Sequence, residues 1–114
     1  MNLARGSVVL VDLEPTLGHE QRGVRPCVIV SDPAVAATLR FPLVCVVPVT
    51  GTAGKGVLSP RLGPGPSGLR KESFALVEQV RSIDKRRIRR AYGALPQGEL
   101  SAVDEGLALY LGLR

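Results

Sequence analysis

The sequence predicts a mainly β domain, a small barrel with one helix at its C-terminal end. Three observations carry this: short runs rich in β-branched residues, turn-forming connections that are polar or Gly/Pro-rich, and a single stretch of helical periodicity late in the chain. Several strands followed by one amphipathic helix suit a barrel that the helix closes or plugs.

The first strand is expected over Ser7–Leu13 (SVVLVDL). The second, Cys27–Ser31 (CVIVS), and the third, Leu43–Thr50 (LVCVVPVT), are almost continuously apolar, so both faces should be buried. The fourth, Ser73–Arg81 (SFALVEQVR), alternates Phe74, Leu76 and Glu78 with Ala75, Val77 and Gln79, which leaves Gln79 as a polar group in an otherwise apolar strand. Weaker strand signals lie at Val57–Leu62, where Pro60 argues for an edge, and at Arg89–Gly93. The helix is expected over Glu99–Leu113, with Leu100, Val103, Leu107 and Leu111 at helical spacing. Pro96 and Gly98 stand where a Ser or Asp cap is usual, so this helix depends on packing. The connections Pro15–Val24 (PTLGHEQRGV) and Gly51–Glu72 are where function is sought; the second holds GPGPSG at 63–68, expected to be mobile.

A chain of 114 residues is expected to form one domain over 1–114, with a single core that needs neither disulfide nor structural metal. Cys27 and Cys45 each sit in a β-branched run and read as free buried thiols. No apolar run approaches the length of a membrane span and the N-terminus lacks a signal-peptide pattern, which predicts a cytoplasmic protein with no membrane association. The net charge of +5 is uneven: residues 1–57 carry 5 basic and 4 acidic side chains, residues 58–114 carry 10 and 6. Within 81–90 (RSIDKRRIRR), Arg81, Lys85, Arg86, Arg87, Arg89 and Arg90 face one acid, Asp84. Two readings stand, an electrostatic footprint for a polyanion and a solvated turn that favours solubility.

The usual catalytic groups are scarce. One His excludes a two-histidine acid/base pair within the chain, and two separated Cys with that His lack zinc-ligand spacing. Asp12 and Glu14 are spaced like paired carboxylates, with no third acid nearby to hold a divalent cation. No phosphate-binding glycine motif is present, so no metal and no cofactor is expected. What remains is a set of polar residues at strand ends: His19, Glu20, Gln21 and Arg25 before the second strand, Thr50 closing the third, Gln79 and Ser82 closing the fourth. Such groups support metal-free RNA cleavage, because the substrate's 2′-hydroxyl is the nucleophile and the protein need only supply a proton acceptor, a cation and orienting donors. Arg25 fits the cation, since a guanidinium fork matches phosphate oxygens, and Thr50 fits a hydroxyl donor. The plain alternatives are that Arg25 tops a surface turn, Thr50 caps a strand and Gln79 bonds to backbone.

RGSVVLVDLEPTLGHEQRGVRPCVIVS at 5–31, CVVPVTG at 45–51, FALVEQVRSIDKRRI at 74–88 and AVDEGLALYLGL at 102–113 together resemble the MazF/PemK family of toxin endoribonucleases. The resemblance covers nearly the whole chain. It implies an SH3-like small barrel with a C-terminal helix, a homodimer, and metal-independent cleavage of single-stranded messenger RNA to 2′,3′-cyclic phosphate and 5′-hydroxyl ends. It implies that Arg25 and Thr50 are the essential residues, that Glu20 and Gln21 belong to a loop closing over RNA, and that Gln79 and Arg81, with Ser82 beside them, contact substrate. His19 stands where Ser is common in the family and reads either as a proton shuttle or as a plain loop histidine. The 51–72 region is richer in Pro and Gly than in relatives, a difference that bears on base preference. A partner is also implied, an antitoxin whose acidic extended segment occupies the RNA groove. A reading from another class is a non-catalytic module on the same barrel, either a nucleic-acid binder using 81–90 or a topoisomerase inhibitor like the related CcdB family.

Overall fold

In a computed structural model describing residues 3–114, the chain forms a curled antiparallel half-barrel with a C-terminal helix. The strands are β1 (Ser7–Asp12), β2 (Val24–Ile29), β3 (Leu43–Thr50), β4 (Arg61–Leu62), β5 (Ser73–Ala75), β6 (Arg81–Asp84) and β7 (Ile88–Ala94). A short helix α1 (Pro33–Ala37) follows β2, and α2 (Gln97–Tyr110) follows β7. The main sheet runs β4-β5-β3-β2-β1-β7, with β6 also paired to β3.

Both faces of the central strands are buried, as the continuous apolar runs predict. Val8, Val28, Val47 and Val49 pack with Val103 and Leu107 of α2, while Val9, Val11, Cys27, Ile29 and Val46 point the other way into a second cluster closed by Leu3, Ala36 and Ile83. Alternation at period 2 thus feeds two cores from each strand. α1 was not expected; Asp32 caps it by accepting from Ala34 N at 2.9 Å, and Pro33 occupies its first turn.

The expected strand Ser73–Arg81 is broken. β5 pairs with Val49 and Thr50, β6 pairs with residues 43–46, and between them the five residues 76–80 stand opposite only Val47 and Pro48. Pro48 has no N–H to donate to this neighbour, although its carbonyl accepts from Leu76 N at 2.8 Å. The surplus residues coil into a 3₁₀ turn, Val77–Gln79, which buries Val77 against the α2 side and turns Gln79 outward.

α2 begins before Glu99 and ends at Tyr110, earlier than the apolar spacing predicts. Gly112, at φ +69°, takes the left-handed position, and Leu113 N bonds to Ala108 O while Gly112 N bonds to Leu109 O. This is a Schellman ending. Leu111 therefore lies past the helix and outside the core, and Leu109, Tyr110 and Leu113 are likewise exposed.

The GPGPSG segment is held, contrary to the expected mobility. Gly63 N donates to Glu99 of α2 at 2.8 Å, Ser67 is fully buried, and Pro66 O accepts from Ala94 N at 3.3 Å. Because this segment continues β4 and touches β7, it bridges the two outer strands of the sheet.

Cys27 and Cys45 are free thiols; Cys27 is fully buried, whereas Cys45, expected to be buried as well, is only half-buried. Burial pushes the Cys27 thiol from 9.0 to about 12. The folded chain then retains a proton that the unfolded chain releases, so stability falls as pH rises through 9 toward 12. Cys27→Ala should flatten that alkaline loss by up to about 1.4 kcal/mol per pH unit, read from thermal midpoints of both proteins. Equal slopes would show that other groups govern it.

Candidate functional site

Two depressions flank the C-terminal half of β3. The first, of about 620 Å³, is lined by His19, Glu20, Gln21, Gln79 and Arg81 together with Leu13, Pro15, Pro48, Glu78 and Val80. The second, of about 420 Å³, holds Arg25 and Thr50 with Pro26, Val49, Gly51, Gly68, Leu69, Arg70, Lys71, Ser73, Arg90 and Tyr92. Pro48 lines the first and the next residue of β3, Val49, lines the second. Of the residues singled out in the sequence, Ser82 lies on β6 opposite Cys45 and lines neither.

The first depression is organised by the 3₁₀ turn. Gln79 Oε1 accepts from Gln21 N at 2.6 Å, and Gln79 Nε2 donates to His19 O at 3.3 Å, so one side chain grips the backbone on both sides of Glu20. Glu20 in turn accepts from Leu17 N at 2.7 Å, and Arg81 donates to Leu13 O at 3.2 Å. The loop between β1 and β2 is thus tied to residues about 60 positions away in sequence. Replacing Gln79 with Ala should speed hydrogen exchange at Gln21 N by roughly tenfold or more, the scale of one lost hydrogen bond, with little change in melting. Gln79→Glu keeps an acceptor for Gln21 but no donor for His19, so Gln21 should stay protected; protection unchanged in Gln79→Ala would refute the grip.

The second depression places a hydroxyl and a guanidinium together. The β2–β3 register pairs Cys27 with Pro48, and its continuation sets Arg25 across from Thr50. Arg25 Nε donates to Arg22 O at 2.9 Å, which steadies the guanidinium while its Nη groups make no protein hydrogen bond among the described residues. Thr50 Oγ1 accepts from Thr52 N at 3.2 Å, so its own proton stays available to a ligand. The lining adds Arg70, Lys71 and Arg90 and no carboxylate. Sequence reasoning does not reach Arg70, Lys71 and Tyr92 as site residues and names Arg90 only within the basic run 81–90; the adjacent Arg70–Lys71 pair inside a Gly/Pro-rich connection is the available signal.

The basic run 81–90 is mostly engaged within the protein. Arg81 holds Leu13 O, Lys85 Nζ donates to Val35 O at 2.7 Å and Thr38 O at 2.9 Å, and Arg87 binds the carbonyls of Asp12 and Glu14. Arg89 pairs with Asp12 at 3.0 Å and Arg86 with Asp84 at 3.0 Å, where the guanidinium draws the Asp84 carboxyl down to about 2. Arg90 alone of the six reaches the second depression, so the run is chiefly a set of ties across β1, α1 and their loops.

A curled half-barrel with a C-terminal helix thus carries a basic, hydroxyl-bearing depression on its flank, the outline of a small barrel that receives an anion. The family described as PemK-like, MazF-like toxin of type II toxin-antitoxin system matches residues 4–111. The chain belongs to this family. Among solved structures it is similar to MazF of Deinococcus radiodurans, with 28% identity, TM-score 0.83 and 98% of each chain covered. A MazE–MazF structure from the same organism matches at 27% identity and TM-score 0.77, covering 100% of this chain and 99% of that one. An endoribonuclease in complex with its cognate antitoxin, from mycobacterial species, shares the fold at 23% identity and TM-score 0.79, covering 98% and 97%. Among the described residues no helix is long and apolar enough to cross a membrane.

Proposed function

We propose that this protein is a cytoplasmic, metal-independent, sequence-specific endoribonuclease that cuts single-stranded messenger RNA and so arrests translation. The observation that carries the reading is the pairing, in one depression of a MazF/PemK chain, of the unspent Nη groups of Arg25 with the unspent hydroxyl of Thr50. The 2′-oxygen of the substrate attacks phosphorus and the P–O5′ bond breaks. The proton lost from the 2′-hydroxyl is balanced by the one gained at O5′, so the products are a 2′,3′-cyclic phosphate and a 5′-hydroxyl with no water consumed. Arg25 stabilises the charge gathering on the non-bridging oxygens, and Thr50 donates to one of them and holds the phosphate in line. Glu20, Gln21 and His19, on the loop gripped by Gln79, line the first depression with Arg81 and would contact the strand on that side of β3.

MazE–MazF complexes among the relatives support a cognate acidic antitoxin as partner. Carboxylates on an extended peptide would pair with the same cations that take phosphates. A homodimer is the assembly we propose, formed through the exposed Leu109, Tyr110, Leu111 and Leu113 at the end of α2, side chains that a monomer leaves in water. The test is incubation with a long single-stranded RNA in excess EDTA, with the fragment ends mapped. Discrete cuts bearing 5′-hydroxyls are expected. Intact RNA from folded protein would reject the reading in favour of a non-catalytic binder or topoisomerase inhibitor.

A further inference from the structure

Arg70, Lys71 and Arg90 line the second depression from two separate elements, and among the described residues none of them pairs with a carboxylate. Leu69 is buried beside them, and Gly68 (φ +84°) lies so near β7 that a Cβ there would come within 2.6 Å of Tyr92 Cβ, so Arg70 and Lys71 leave a backbone that is packed down on both sides. Lys71 lies over Gly51, where a Cβ would meet its Cε and Nζ at 2.9 Å; this brings the ammonium to the residue next to Thr50. The acid of the same segment, Glu72, is drawn away by Arg61 at 2.6 Å. On β7 the pairing with β1 slips between Val8↔Gly93 and Val9↔Ala91, which leaves Tyr92 as the extra residue of a bulge. Bulges re-aim side chains, and here the ring carries the Arg90 guanidinium 5.1 Å from its centroid.

Three cations held without an acid partner form a site for an anion of repeated charge. We propose that Arg70, Lys71 and Arg90, the last steadied by Tyr92, form a subsite for the RNA phosphates next to the one held by Arg25 and Thr50, and so fix how the strand is threaded past the cleavage point. This rests on the endoribonuclease reading. Single-stranded RNA is favoured over an acidic peptide because the three cations continue directly from the hydroxyl–guanidinium pair assigned to the scissile phosphate, as successive phosphates of one strand require.

The test is equilibrium binding of a mixed-sequence RNA 20-mer, fully 2′-O-methylated so that it carries no nucleophile, measured by fluorescence anisotropy over a range of salt. For the Arg70→Ala/Lys71→Ala double variant the slope of log Kd against log salt should fall by roughly 1.4, about 0.7 for each lost phosphate contact. Arg90→Ala should lower it by about 0.7, and Tyr92→Phe should bind as wild type while Tyr92→Ala weakens like Arg90→Ala. Arg40→Ala, whose guanidinium lies 5.1 Å from the Phe41 ring centroid and outside the depression, should leave the slope unchanged. If an alanine variant melts early, Arg70→Gln/Lys71→Gln keeps the stems and removes the charge. A folded charge variant with the wild-type slope overturns the subsite while the endoribonuclease reading stands. Wild-type protein that does not bind the RNA overturns both. Variants that keep RNA binding and lose only a polyglutamate peptide overturn it in favour of a carboxylate partner.

Discussion

Arg25→Ala is expected to slow RNA cleavage by at least about 100-fold with melting unchanged, and Thr50→Ala to do the same, because each removes one preorganised group from the charge that develops at phosphorus. Neither side chain supports the fold: the Arg25 side chain is exposed and, among the described residues, bonds only to the nearby Arg22 carbonyl, and Thr50 is the last residue of β3. Surface changes of this kind shift stability by about 0.5 kcal/mol or less. Arg25→Lys should recover little, since an ammonium lacks the planar fork that meets two phosphate oxygens, whereas Thr50→Ser should recover much because the hydroxyl remains. The measurement is the single-turnover rate on one cleavable RNA in EDTA, with circular dichroism as the check on folding. Wild-type rates in both alanine variants would remove the two residues from the reaction.

Gly93→Ala is expected to cost about 3 kcal/mol, at the upper end for overpacking, and to lower the melting temperature by roughly 10 °C. A Cβ at Gly93 would overlap the Pro66 carbonyl oxygen and lie 3.1 Å from the Ser67 carbonyl carbon. Both are backbone atoms of the segment that joins β4 to β7, so no rotamer change relieves the clash and the two edges must part. The Ala94 N to Pro66 O bond should be lost, and with it the placement of Arg70 and Lys71. Gly98 is the control. It sits in the first turn of α2 with nothing within 4 Å of its would-be Cβ, so Gly98→Ala should stabilise by up to about 1 kcal/mol through helix propensity. Equal effects of the two substitutions would show that close approach at Gly93 does not hold the barrel together.

Strand and helix types, the two-sided burial of β2 and β3, and the position of Thr50 at the end of β3 follow from the sequence itself; Arg25, expected before a strand beginning at Cys27, instead lies within β2, because that strand starts at Val24 where it pairs with β1. Period-2 and helical spacing record what each residue's own neighbours do, and β-branched runs bounded by turn formers carry that record plainly. The break at Val77–Gln79 was hidden for the converse reason. SFALVEQVR alternates well as a strand, and only its pairing against Pro48, from a different strand, forces the surplus residues into a turn. The basic run 81–90 shows the same limit: its charge supports both a polyanion footprint and a solvated turn, and only the fold shows that Arg81, Lys85, Arg87 and Arg89 hold carbonyls and a carboxylate of β1, α1 and the following loops while Arg90 is left facing the second depression. An Arg bound to a distant carbonyl and an Arg left to solvent look alike in one dimension. The Gly/Pro-rich segment, local in composition, became an ordered bridge because Gly93 lets its backbone press against β7. The sequence alone therefore determined the kind of barrel and its hydroxyl–guanidinium candidates, and the tertiary structure alone decided which cations remain for a ligand, because only pairing between distant segments uses up the others.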